Sequence, residues 1–151
     1  MDTIHIQPAD GARFYIYTLI DLASRWVHAK VVERINAVQS ARFLMEAQRR
    51  APFSFRVVQT DHGPEFSTHL TRRLMTMATV HRHSRVRQAN DNGHVERFNR
   101  TVQEECFTKL PPVLSLYRKA LKPYLPYYNG ERLHLGLNLT TPLTKCFQAI
   151  D

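Results

Sequence analysis

Apolar and polar positions change period several times along this 151-residue chain, and each change predicts an element. Phe14 to Ile20 (FYIYTLI) is nearly continuous in apolar and aromatic residues, the pattern of a strand covered on both faces. Asp21 to Ser24 turns the chain. Val27, Ala29 and Val31 then alternate at period two with Trp26, His28 and Lys30, which predicts a second strand paired to the first. A short apolar segment, Thr3 to Ile6, precedes both. Beyond the second strand the period lengthens. Asn36, with Gln39 three residues on, is a capping-box start, and Val38, Ala41, Leu44 and Met45 mark one helical face. Pro52 ends that helix. A strand over 54–60 follows, joined by the neighbouring Phe53. A helix from about Ser67 turns Leu70, Leu74 and Met77 inward, and a short strand lies near 80–83.

From NDNG (residues 90–93) a long helix is expected to about Leu110, with Val95, Phe98, Val102 and Cys106 on its buried stripe and Pro111 and Pro112 as its stop. A second helical stretch follows. Pro123 and Pro126 are expected to kink or split it, since each removes a backbone donor and crowds the preceding turn. YYNGER (127–132) turns the chain, and Thr141-Pro142 opens a last short helix. Three strands, a helix, a strand, a helix, a strand and then helices predict a mixed-sheet α/β domain without internal repeat, linker or low-complexity tract.

A chain of this length makes one domain with a real core. No apolar run approaches a membrane span, and MDTIHIQPAD lacks both the basic and the apolar parts of a signal peptide. Cys106 and Cys146 lie far apart and make neither a disulfide framework nor a zinc motif, so they are expected to be thiols in a reducing compartment. The formal net charge of +8 changes the picture more, because a basic surface attracts polyanions and steers their approach.

The candidate chemistry begins at VVQTDHGPEF (57–66), where an apolar strand ends on a carboxylate. Asp61 suits the turn made with Gly63 and Pro64, because its side chain bonds the backbone two residues on. A strand tip equally holds a metal ligand at the rim of a sheet. Glu96 follows after 34 intervening residues, in the opening turn of the long helix, where the partial positive charge of the helix N-terminus favours an ionised carboxylate. Glu96, Arg100 and Gln103 fall at i, i+4 and i+7, a stripe distinct from the Val95–Phe98–Val102 core stripe. Taken singly, Glu96 is a solvated first-turn acid and Arg97 and Arg100 are surface charges. His81 and His83 share one face of a short strand, and His5, His62 and His94 lie near the acids in sequence. No spacing among them matches a four-ligand zinc site, so surface or nucleic-acid-facing positions are expected.

MDTIHI, QTDHGPEF and NDNGHVERFNRTVQEE together resemble the catalytic core of retroviral integrases and of bacterial insertion-sequence transposases. YYNGERLHLGLNLTTPL resembles the segment that ends many of the bacterial enzymes. The resemblance implies a ribonuclease H-like mixed five-stranded sheet flanked by helices. It implies one catalytic core over 1–151, with the sheet and catalytic helix in about 1–110 and a helical segment over 111–151. By the same resemblance Asp2, Asp61 and Glu96 are the three acids, catalytic and metal-ligating alike. Asp21, also at a strand end, competes for the first place, but IDLASR matches a turn that follows the family's second strand. Asp10, Asp91 and Glu65 are assigned to a turn, a cap and the surface. Two departures stand out. The family's first strand normally begins several residues before its Asp, whereas only Met1 precedes Asp2 here; a poorly held first acid and a missing upstream DNA-binding region are expected. Arg132, Leu133 and His134 stand where the family often has Arg-Pro-His.

Carried over with the resemblance are two Mg²⁺ or Mn²⁺ ions, which at roughly 3.5–4 Å separation serve both ends of an in-line displacement. Hard divalent cations take oxygen ligands, which carboxylates supply. Asp61 is expected to bridge the ions, Asp2 to bind one or both and Glu96 to complete the second. Arg97, Arg100 and Gln103 are expected to meet DNA, with the arginines on phosphates that fix position without reading sequence. The implied activity is cleavage and joining of DNA strands, with transposon ends and target DNA as partners, no membrane and no small-molecule substrate, in the cytoplasm at the nucleoid. The alternative is a catalytically inactive DNA-binding or assembly-forming relative of the same fold. Joining two DNA ends needs two active sites, so a symmetric homodimer is expected. Leu114, Tyr117, Leu121 and Tyr124 are either part of its contact surface or intramolecular core.

Overall fold

The computed structural model describes residues 1–84 and 93–148. Strands β1 (Asp2–Ile6), β2 (Phe14–Ile20) and β3 (Val27–Val32) form an antiparallel sheet in that order, with Asp2 opposite Thr18 and Ile20 opposite Val27. The turn between β2 and β3 is held by Asp21, whose Oδ2 accepts both the backbone N–H and the hydroxyl of Ser24 at 2.7 Å. Asp21 is therefore a turn residue, as its surrounding motif implies. Both faces of β2 are covered. Phe14 and Ile16 join one core cluster, while Tyr17 and Leu19 join the other. On β3 His28 is buried and stacked on Phe43 at 5.3 Å, and among the alternating residues Lys30 alone is exposed.

Helix α1 (Ala37–Arg50) starts where Asn36 accepts the Gln39 amide at 2.9 Å. Its buried face is Ser40, Ala41, Phe43, Leu44 and Ala47; Val38, expected inward, is exposed because it falls outside that stripe. The strand expected over 54–60 shortens to β4 (Val57–Thr60). Gln48 of α1 explains the loss: its side-chain amide donates to Phe53 O and its carbonyl accepts Phe55 N–H, at 2.9 and 2.8 Å. That backbone is satisfied by a side chain instead of a ladder, while Phe55 still enters the core. A 3₁₀ turn (Pro64–Phe66) and α2 (Thr68–Thr76) lead to β5 (Val80–His83), which pairs parallel with β4. The α/β architecture of mixed strands flanked by helices is as expected. Among the described residues five strands form two ladders, three plus two, and the Met1 amino group links them by donating to Gln59 O at 2.8 Å.

Helix α3 spans Gly93–Val102 and buries Val95, Phe98 and Val102, the last two in the cluster that holds Phe14 and Ile16 of β2. Apart from Gly93, the NDNG start, including Asp91, lies outside the described residues. The regular helix expected to Leu110 changes to a π-helical segment over Gln103–Phe107. The wider turn delays the buried stripe by one position, so Phe107 is buried, stacked on Tyr117 at 4.1 Å, and Cys106 stays half-buried. Helix α4 (Leu114–Gly130) runs unsplit through Pro123 and Pro126. Both prolines and the residues four back, Lys119 and Lys122, are exposed, so the carbonyls left without a helical donor face water. Tyr117, Leu121 and Tyr124 of this helix are core, with Leu114 packed beside them, so the sheet and not a second subunit occupies this face. Asn129 completes the free edge of β3, exchanging two 2.9 Å hydrogen bonds with the backbone of Val27. Helix α5 (Pro142–Gln148) closes the chain and buries Cys146. Among the described residues no helix is long and apolar enough to cross a membrane.

Candidate active site

Asp2 opens β1 and is held from several directions. Thr3 N–H donates to its Oδ1 at 2.8 Å, and Asn99 Nδ2 donates to its Oδ2 at 2.7 Å from α3. Asn99 is fixed in turn by the buried hydroxyl of Thr18, which donates to Asn99 Oδ1 at 2.6 Å. The loosely held first acid expected so near the chain start is not what the structure shows, because a strand partner, a helix side chain and the Met1–Gln59 bond all restrain it. Sequence reasoning missed Asn99. The available signal was a short amide between Glu96 and Gln103 on the stripe beside the core.

Asp61 follows the last residue of β4. Its Oδ1 accepts Gly63 N–H at 2.9 Å, so the turn role is real. No hydrogen bond from the described residues reaches its Oδ2, which leaves that oxygen for another partner. Its carbonyl accepts bonds from the Thr60 hydroxyl and from His83 Nδ1, each at 2.9 Å. Asp2 and Asp61 both act on the Met1 amine. Burial pushes that amine down to about 6, and the two carboxylates oppose the shift by favouring its charged form.

Glu96 is exposed in the first turn of α3, one turn before Asn99. With Asn99, Arg100, Gln103 and Glu104 it lines an open hollow on the helix, and Gln103 Nε2 donates to Asn99 O at 2.9 Å. Arg97 is exposed but absent from this hollow, being about 100° around the helix from Glu96. Its charge acts instead on His94, whose pKa is lowered first by burial and then by Arg25 and Arg97. Thus Asp2 and Asp61 stand at the ends of strands of the two ladders that the Met1–Gln59 bond links, and the helix face bearing Glu96 reaches Asp2 through Asn99. The three carboxylates are not gathered further: among the described residues no group of three or more His, Cys, Asp or Glu side chains is placed to hold a metal ion.

Two other assignments change. Glu65, expected on the surface, is only 7% exposed and accepts the Thr3 hydroxyl at 2.9 Å. His81, expected at the surface, is half-buried between Thr60 and Thr71, with ring nitrogens 2.9 and 2.7 Å from their hydroxyls. Burial, then the charges of His83 and the chain start, push it down to about 4. His62 and His83 are exposed and stacked at 4.9 Å.

Mixed strands flanked by helices, with acids at the tips of β1 and β4 and a helix laid beside them, define a ribonuclease H-like core. Two family models, each described as an integrase core domain, match residues 1–89 and 77–142, and the chain belongs to that family. The ORF3 protein of Spiroplasma virus SpV1-C74, which carries an integrase name, is 28% identical over 156 aligned positions; the match covers 86% of this chain. The chain spans only 41% of that relative. The fold matches the catalytic core domain of BIV integrase at a TM-score of 0.76 with 18% identity, covering 98% of this chain and 93% of that one. A chain of the simian T-cell lymphotropic virus intasome matches at 0.76 with 19% identity, over 95% of this chain and 51% of that one. The HTLV-2 integrase catalytic core in complex with magnesium matches at 0.71 with 16% identity, over 94% and 90%.

Proposed function

We propose that this chain is the catalytic core of a transposase or integrase that cuts and joins DNA strands by in-line phosphoryl transfer, dependent on Mg²⁺ or Mn²⁺. The observation that carries the reading is the anchored Asp2, bonded to Asn99 of α3, on a strand whose Thr3 bonds Glu65 beside the Gly63 turn that holds Asp61. The donor set fits a hard cation: two carboxylates at strand tips, one with an oxygen that no described residue bonds. Bound there, two divalent ions would supply charge stabilisation to the attacking and leaving oxygens.

The chain's own residues have separable tasks. Asn99 orients Asp2, and Gly63 N–H orients Asp61. Glu96 completes the ligand set from α3. Arg100 and Gln103, on the same helix face, hold phosphates beside the acids, and Arg97 meets the backbone farther round the helix. The net charge of +8 draws DNA to the surface. The chain works as a homodimer, through a surface other than the core face of α4. A second reading, DNA binding without catalysis, draws on the absence, among the described residues, of three acids placed together to hold a metal ion.

Nicking of supercoiled plasmid in Mn²⁺ tests the proposal. Wild type should nick, and Asp2→Asn, Asp61→Asn and Glu96→Gln should each abolish nicking while retaining DNA binding. Retained DNA binding with no nicking by wild type supports the inactive reading. Equal nicking by all four proteins contradicts the site.

A further inference from the structure

We infer that Glu65 is a positioning residue: it latches the Asp61 turn to the strand that carries Asp2. The inference rests on the metal site proposed above and adds a residue to its support. Successive residues of a strand face opposite sides of the sheet. Asp2 accordingly meets Asn99 of α3 on one side, while Thr3 meets Glu65 of the 3₁₀ turn on the other. A carboxylate as buried as Glu65 is rare without a partner. Its partner is neither lysine nor arginine but the Thr3 hydroxyl, 62 residues earlier in the chain.

Gly63 shows how closely the pieces fit. Its φ of −58° is open to any residue, so the need for glycine is one of space. A Cβ there would lie 2.6 Å from Glu65 Oε2 and 3.1 Å from Asp61 Oδ1. The two carboxylates therefore pack around one glycine, which donates its own N–H to Asp61. The chain of contacts runs from Asp2 through its neighbour Thr3 to Glu65, across Gly63, to Asp61. Glu65 acts through these contacts, and its hydrogen bond sets the spacing of the two acids that an ion must share.

The test is Mn²⁺ affinity of the full chain by titration calorimetry, read beside metal-free melting. Thr3→Val removes the hydroxyl and leaves every charge in place; it should weaken Mn²⁺ binding about tenfold, the lower end of what loss of an outer-shell partner costs. Thr3→Ser should restore wild-type affinity. Glu65→Gln keeps an oxygen acceptor for Thr3 and should bind nearly as wild type, whereas Glu65→Ala should lose as much as Thr3→Val. If Glu65→Ala does not fold, the two Thr3 variants decide. Loss in Glu65→Gln with none in Thr3→Val makes Glu65 a source of charge and overturns the latch. A lowered melting temperature with unchanged Mn²⁺ affinity makes it merely structural and overturns it as well. In both cases the metal site stands. A folded wild type that binds no Mn²⁺ overturns the metal site, and the latch falls with it.

Discussion

Asp61 divides its duties between two oxygens. Oδ1 closes the turn on Gly63, and Oδ2 has no hydrogen bond from the described residues. Asparagine keeps the first duty and loses the second. Asp61→Asn should therefore melt like wild type or slightly higher without metal, because repulsion between neighbouring carboxylates falls. It should also lose the gain that a divalent ion gives the folded form, about 2.7 kcal/mol at a hundredfold excess over the dissociation constant. Thermal melts with and without Mn²⁺ check this. A variant that melts low without metal and gains fully from it would mark Asp61 as a turn residue alone. Asn99 is a second residue with two commitments. Asn99→Ala leaves the buried Thr18 hydroxyl only its long 3.4 Å bond to Asp2 O and frees Asp2 Oδ2, which should cost about 1 kcal/mol of metal-free stability. Urea unfolding measures that loss.

Elements that obey local rules were legible in the sequence, and those that answer to distant residues were not. The apolar run of β2, the Asn36–Gln39 cap of α1 and the Thr141-Pro142 start of α5 each depend on a few adjacent residues. The shortened β4 depends on Gln48, the setting of Asp2 on Asn99, and the burial of Glu65 on Thr3. No period reveals such pairings. The site's acids were named because order and spacing survive in sequence, while their supports lie on other elements. Helix α4 shows the opposite error, a local rule applied where solvent relaxes it. Its prolines still sacrifice hydrogen bonds, so Pro123→Ala should stabilise the protein by about 1–2 kcal/mol, less than the full helix-interior penalty because proline also restricts the unfolded chain. Thermal melting decides it. The β3–α1 contact carries a pH dependence. Burial holds His28 down at about 4, with Glu46 pulling the other way and Arg50 and Lys30 adding to the depression. A depressed histidine favours the native state fully above its ordinary value near 6.5, and that share is lost as pH falls toward 4. His28→Phe should flatten the loss of stability between pH 6.5 and 4, leaving the portions due to His81, His94 and His134, whose pKa values burial also lowers.

At the scale of the whole molecule, the proposed attraction to DNA draws on the net charge of +8, and the proposed phosphate contact is Arg100, which lines the hollow on α3 with Glu96. Arg100→Ala should weaken DNA binding evenly across sequences and lower the salt slope by about one counterion, without changing the gain in melting temperature from Mn²⁺. Fluorescence anisotropy over a salt series reads the slope. Every proposed role at the site requires that Asp2 and Asp61 share a divalent cation that brings Glu96 in from α3. Crystals grown with Mn²⁺ and measured at its absorption edge test it most directly. The account predicts anomalous density between the Asp2 and Asp61 carboxylates, with Glu96 turned toward it and Asn99 still bonded to Asp2. Density at the exposed His62–His83 pair with none between the two aspartates would contradict it.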